Sequence, residues 1–161
     1  MATSDNSLLW FVLSYFVAQI ANCLLIYKIN KQKSVFGVSI DAQIALWVAT
    51  LSRIVWFTDT KLPTMWFGCL ELVVANCLHA YILYLCFRHK DALQLEMPVY
   101  LKWFVILSVA AVLSCIFHPG RKGQYFISQQ MFVSFTMFTE AISLLPQLYH
   151  MRASKGVEGL N

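Results

Sequence analysis

Charge is scarce in this sequence. Of 161 residues, 12% are Asp, Glu, Lys or Arg, about half the share of a soluble domain. Proline and glycine are also few, four and six. They do not gather with serine into a linker or a low-complexity tract, which excludes a chain of separable modules. The five cysteines, Cys23, Cys69, Cys77, Cys86 and Cys115, include no C-x-x-C pair. Disulfides and a zinc centre are therefore not expected, and a role as small, polarizable packing residues is. The apolar segments hold no nucleophile–base pair and no metal-ligand spacing, so neither catalysis nor a cofactor is expected. No basic residue precedes the first apolar run, which is too long for a cleavable signal peptide and lacks a small-residue cleavage pattern. A retained anchor helix is expected there.

Apolar side chains fill the sequence instead. Hydrophobic residues make up 59% of it and mean hydropathy is +0.62. They fall into five blocks, near 7–27, 41–58, 65–87, 98–117 and 126–149. Each is long enough to cross about 30 Å of hydrocarbon as a helix. A soluble helical bundle would need polar faces, whereas MWFGCLELVVANCLHAYILYLCF is apolar all round. The predicted fold class is all-α: one transmembrane domain over 1–161, a polytopic helix bundle with five spans.

The basic residues predict its orientation. Lys28, Lys31, Lys33, Arg88, Lys90, Lys102, Arg152 and Lys155 would lie on one side, and Lys61, Arg121 and Lys122 on the other. Eight against three places the segments at 28–40, 88–102 and 150–161 in the cytosol and the amino terminus in the lumen. The net charge of +4 then reflects topology. No basic face is left over for nucleic acid, and membrane lipid is the surrounding medium.

Few polar groups lie within the spans. Ionisable residues at such depths cost several kcal/mol unless paired or hydrated. Arg53 in ATLSRIVWF is read either as a ligand-binding cation or as a side chain snorkelling to the lumenal interface. Glu71 reads as a solvated helix end and His79 as a hydrogen-bonded packing residue. Glu140 in FTEAISLLPQ has no such simple explanation, being near the middle of an apolar helix. An Arg53–Glu140 ion pair is not asserted from the sequence, because the two estimated depths differ by several helix residues. Gln129 and Gln130 start the fifth span, with Asn22 and Asn76 deeper in the first and third. Such amides either bond between helices or line a polar cavity. Pro146 removes a helix hydrogen bond and frees the carbonyl of Ile142, which Gln147 beside it is able to satisfy. The pair reads as a hinge or as a passive kink aiding packing.

One stretch is nearly repeated. LLIYKINKQKSVFGVS at 24–39 and PQLYHMRASKGVEGLN at 146–161 share Tyr27/Tyr149, Lys33/Lys155, Val35/Val157 and Gly37/Gly159 at an offset of 122. Four identities in sixteen read either as chance or as an internal repeat.

The stretch LLPQLYHMRASKGVEGLN resembles a PQ-loop motif. A narrower resemblance covers most of the chain. YKINKQKSVFGVSIDAQIALWVATLSRIVWF and FTEAISLLPQLYHM are similar to the ER lumen protein-retaining receptor family. Its motifs fall here on Lys28-Ile29-Asn30-Lys31, Gly37-Val38-Ser39 with Gln43, Arg53, Glu140-Ala141 and Pro146-Gln147-Leu148. The resemblance implies seven helices of SWEET-like fold: two parallel three-helix repeats and a linker helix. The first bundle would occupy about 7–87, the linker about 98–117, and the start of the second bundle about 126–161, with two spans expected beyond Asn161. It further implies a receptor in the endoplasmic reticulum and Golgi membrane that binds K-D-E-L/H-D-E-L-type C-terminal peptides for retrograde retrieval. Arg53, Glu140 and Gln130 would form the ligand site. His118 or Glu140 would sense pH, although His118 also reads as a solvated helix cap. Lys28, Lys31 and Lys33 would face vesicle coat machinery. The chain departs from the family pattern in having no arginine in its first helix, and Val55 and Trp56 where an acid follows the second-helix arginine. A PQ-loop transporter of amino acids or sugars is the alternative.

Overall fold

In the computed structural model, residues 2–35, 37–58, 66–89, 97–118 and 128–158 are described. They form five α-helices: α1 (Ala2–Gln32), α2 (Ile40–Ser52), α3 (Trp66–Arg88), α4 (Trp103–Phe117) and α5 (Gln129–Glu158). Short 3-10 turns follow α2, over Arg53–Thr58, and precede α4, over Val99–Leu101. The all-α expectation holds.

The helix ends depart from the predicted spans for local reasons. α1 runs five residues past the expected exit at 27, so Lys28 and Lys31 ride on its last turns. It stops where Lys33 turns left-handed at φ 50°, its N–H donating to Ile29 O at 2.8 Å. Gly37, at φ 81°, is the second left-handed residue of this reversal; at that angle a side chain is strained and glycine is not. Ser39 then caps α2, its Oγ accepting from Ala42 N–H at 3.3 Å. α4 starts five residues late. Lys102 precedes it and has no acceptor, so Asp41 on α2 accepts from Trp103 N–H at 3.1 Å instead.

The largest correction concerns the second copy of the repeated stretch. α5 continues through Pro146 to Glu158, so Lys155 is helical where its counterpart Lys33 ends α1. The two copies share sequence but not conformation. Gly159 and the basic residues Lys61, Lys90, Arg121 and Lys122 lie outside the described residues.

Packing follows small side chains. Ala42, Ala45 and Ala49 present one face of α2 and are at most 1% exposed. Thr136, Thr139 and Ser143 on α5, and Ala110 and Ser114 on α4, are similarly buried, and α2 and α4 pack most extensively on α5. Small residues let helices approach closely where lipid removes the hydrophobic drive to associate. Their hydroxyls stay satisfied within their own helices: Thr139 Oγ1 donates to Phe135 O at 2.7 Å and Ser143 Oγ to Glu140 O at 2.8 Å. Larger side chains build one cluster at the basic end, where Ile29 and the loop residues Val35 and Val38 meet Ile82, Leu85 and Cys86 of α3.

Outside this core the surface is apolar, with Phe16, Ile20, Val73, Val112, Ile116 and Met137 all exposed. Two helical segments, Gly68–Arg88 and Gln130–Ala153, are long and apolar enough to span a bilayer, and within each only about a third of the 18-residue apolar stretch is buried, 33% and 28%. The core helix of a soluble protein would be mostly covered. Trp103–Phe117 is apolar but shorter. All five cysteines are free; Cys86 packs in the core as expected, whereas Cys23, Cys77 and Cys115 lie on the apolar exterior.

Candidate functional site

Arg53 sits where α2 tightens into its 3-10 turn. Its Nη2 donates to Glu140 Oε1 of α5, so the ion pair that the depth estimate argued against is present. The reason is reach. Fourteen residues separate Ser39 from Arg53, and seven separate Glu140 from Gln147. The mismatch of seven residues, about 10 Å of helix rise, is spanned by two long side chains. Arg53 also stacks over the Tyr15 ring of α1, 5.4 Å from its centroid. It is therefore held inside the bundle, which corrects the snorkelling reading. Its side chain is 15% exposed and that of Glu140 40%.

Glu71 joins them. It does not end a solvated helix: half-buried, it accepts from Gln19 Nε2 of α1 at 3.1 Å, and Asn22 Nδ2 donates to Gln19 Oε1 at 3.5 Å. Glu71, Glu140, Tyr15 and His79 all act electrostatically on, or feel, the Arg53 guanidinium. Sequence reading missed Tyr15, Gln19 and Glu71 as site residues. A signal existed, since Tyr15, Gln19 and Asn22 recur at helical spacing and share a face of α1.

Two further readings need correction. His79 keeps a buried Nδ1 with no hydrogen-bond partner among the described residues, so it is not the bonded packing residue expected. Asn76 donates to Leu72 O of its own helix at 2.8 Å rather than across helices.

Other candidates lie apart from the cluster. Gln130 is exposed in the first turn of α5, ten residues from Glu140, about 15 Å along the helix. His118 ends α4 buried rather than solvated, its Nδ1 donating to Ser114 O at 3.0 Å and Cys115 O at 3.2 Å. It caps its helix, as one reading held. Lys28, Lys31 and Lys33 are all exposed, with Lys31 over the Tyr27 ring at 5.7 Å.

Gln147 provides the second constellation. It does not serve the carbonyl freed by Pro146. Its Oε1 accepts from Ser39 N–H at 3.0 Å and its Nε2 donates to Gly37 O at 2.7 Å. Pro146 itself is fully buried.

The arrangement around Arg53 is one of charge and hydrogen bonds. It offers a cation between two carboxylates inside a helix bundle, and no group of three or more metal-ligating side chains occurs among the described residues. No curated protein and no solved structure matches the chain. Residues 34–161 match the family model described as ER lumen protein retaining receptor, a stretch that holds Arg53, Glu71, Glu140 and both partners of Gln147. With most of its length accounted for, and with the helical, largely apolar architecture such a receptor needs, this chain belongs to the ER lumen protein retaining receptor family.

Proposed function

We propose that the chain binds the C-terminal K-D-E-L/H-D-E-L-type signal of escaped luminal proteins and returns them from Golgi to endoplasmic reticulum. The observation that supports this most directly is Arg53, an inward-facing and mostly buried guanidinium held between α1 and α5. A peptide carboxylate gains strong charge-assisted bonds from such a group. In this reading the Arg53 end of the bundle is lumenal and the amino terminus lies on that side. Gln130 would lie on that same side, in the first turn of α5.

Glu140 competes with the ligand for Arg53. A peptide carboxylate entering the pocket meets one guanidinium already partnered and a second acid, Glu71, close by. Protonation of a carboxylate lifts that repulsion, so binding is favoured in the acidic Golgi and released in the endoplasmic reticulum. On the opposite, cytosolic side, Lys28, Lys31 and Lys33 present the positive surface that coat machinery would read.

The test is binding of a labelled H-D-E-L peptide to purified protein in lipid nanodiscs at pH about 5.5 and 7.2. Binding is expected to be stronger at the lower pH and lost in Arg53→Ala. Equal binding at both pH values, or indifference to Arg53, would refute the proposal.

A further inference from the structure

α5 holds α2 at both ends. At one end Arg53, the first residue beyond α2, donates to Glu140. At the other, the chain entering α2 is gripped by the Gln147 amide through Ser39 N–H and Gly37 O. Pro146 lies beside the second anchor and between the two.

Between these anchors α2 buries small side chains. Ala42, Ala45 and Ala49 share one face of the helix and are at most 1% exposed; their methyl groups permit close approach but interlock little along the axis. Such a face leaves helix register to be fixed elsewhere. The Gln147 contact is suited to fix it. One planar amide supplies an acceptor and a donor at a set separation, and both partners are backbone atoms, which cannot swing away as side chains do. Ser39 is also the residue that caps α2, so anchoring its backbone anchors the helix itself. From there α2 is a 13-residue rod ending at Arg53.

We propose that Gln147 is a positioning residue for Arg53: it sets the register of α2 on α5, and thereby the place of the guanidinium opposite Glu140. The role does not depend on the identity of the peptide ligand. A displacement of α2 by even part of a turn moves Arg53 relative to Glu140, although Gln147 and Arg53 never touch.

The experiment is a triple-mutant cycle on the full chain in mild detergent. Unfolding constants are measured for the parent, Arg53→Ala, Glu140→Ala and the double variant, each with Gln147 and with Gln147→Met. Methionine keeps the length and volume of the side chain and removes both hydrogen bonds. With Gln147 in place, the Arg53–Glu140 coupling is expected to exceed about threefold in the unfolding constant. In the Gln147→Met background it is expected to fall to about one. A Gln147→Met change that weakens all four proteins equally and leaves the coupling intact would overturn the proposal, as would the absence of coupling in the Gln147 background. Should Gln147→Met fail to accumulate, Gln147→Asn, one methylene shorter, is measured by the same criterion.

Discussion

Arg53 and Glu140, 87 residues apart in the sequence, form an ion pair between the end of α2 and the middle of α5. The pair is partly exposed, with Glu140 40% exposed on its side chain, so its worth lies between that of a surface bridge and a buried one. Arg53→Ala and Glu140→Ala are each expected to cost about 1–2 kcal/mol of stability. The double variant should cost less than their sum, because removing both partners leaves no orphaned charge. Thermal unfolding of the purified variants checks this; additive losses would mean that the contact contributes nothing.

Glu71 brings a second negative charge to the Arg53 pocket without pairing directly with it. A glutamine in its place would still accept from Gln19 but carry no charge. Glu71→Gln is therefore expected to strengthen binding of an anionic C-terminal peptide about three- to tenfold at neutral pH, with a smaller gain at pH about 5.5. Titration of the labelled peptide against both proteins measures it. Weaker binding would show that Glu71 contacts the ligand favourably.

Gly37 is constrained by backbone angle and not by space. Its φ is 81°, and a Cβ built there would meet nothing within 4 Å. Gly37→Ala is expected to lower stability by about 1–2 kcal/mol, and Gly37→Asn by less, since asparagine tolerates left-handed conformations. Comparison of the two melting temperatures separates angular strain from steric clash, which would penalise asparagine more.

Ala49 is wholly buried on the face α2 turns to its neighbours, whereas Ala80 on α3 is exposed. Ala49→Leu is expected to destabilise by about 1–3 kcal/mol through overpacking. Ala80→Leu should fall within about 0.5 kcal/mol of the parent. The melting temperatures of these two variants test whether small residues set the helix spacing.

Much of the architecture was legible before any coordinates. Five apolar blocks became five helices, because apolar length and the need to satisfy backbone groups in lipid leave little choice. The family resemblance, carried by Arg53, Glu140 and Pro146-Gln147, agrees with the match over 34–161. Helix ends were read less well. Lys28 and Lys31 looked like loop residues because charge marks the edge of hydrocarbon, whereas α1 ends only at the left-handed Lys33. The twin stretches looked equivalent for the same reason, and α5 nevertheless continues where α1 stops.

Composition and periodicity thus determined that the chain would be an all-helical membrane bundle with scarce inward charges. Which charges meet was a matter of tertiary structure alone. Depth counted along separate helices argued against Arg53 and Glu140 pairing, since such counting ignores the reach of side chains and the offset of neighbouring helices. The partners of Gln147 were hidden for a related reason. It bonds backbone atoms, and backbone atoms leave no mark in the sequence until the fold brings Gly37 and Ser39 against α5.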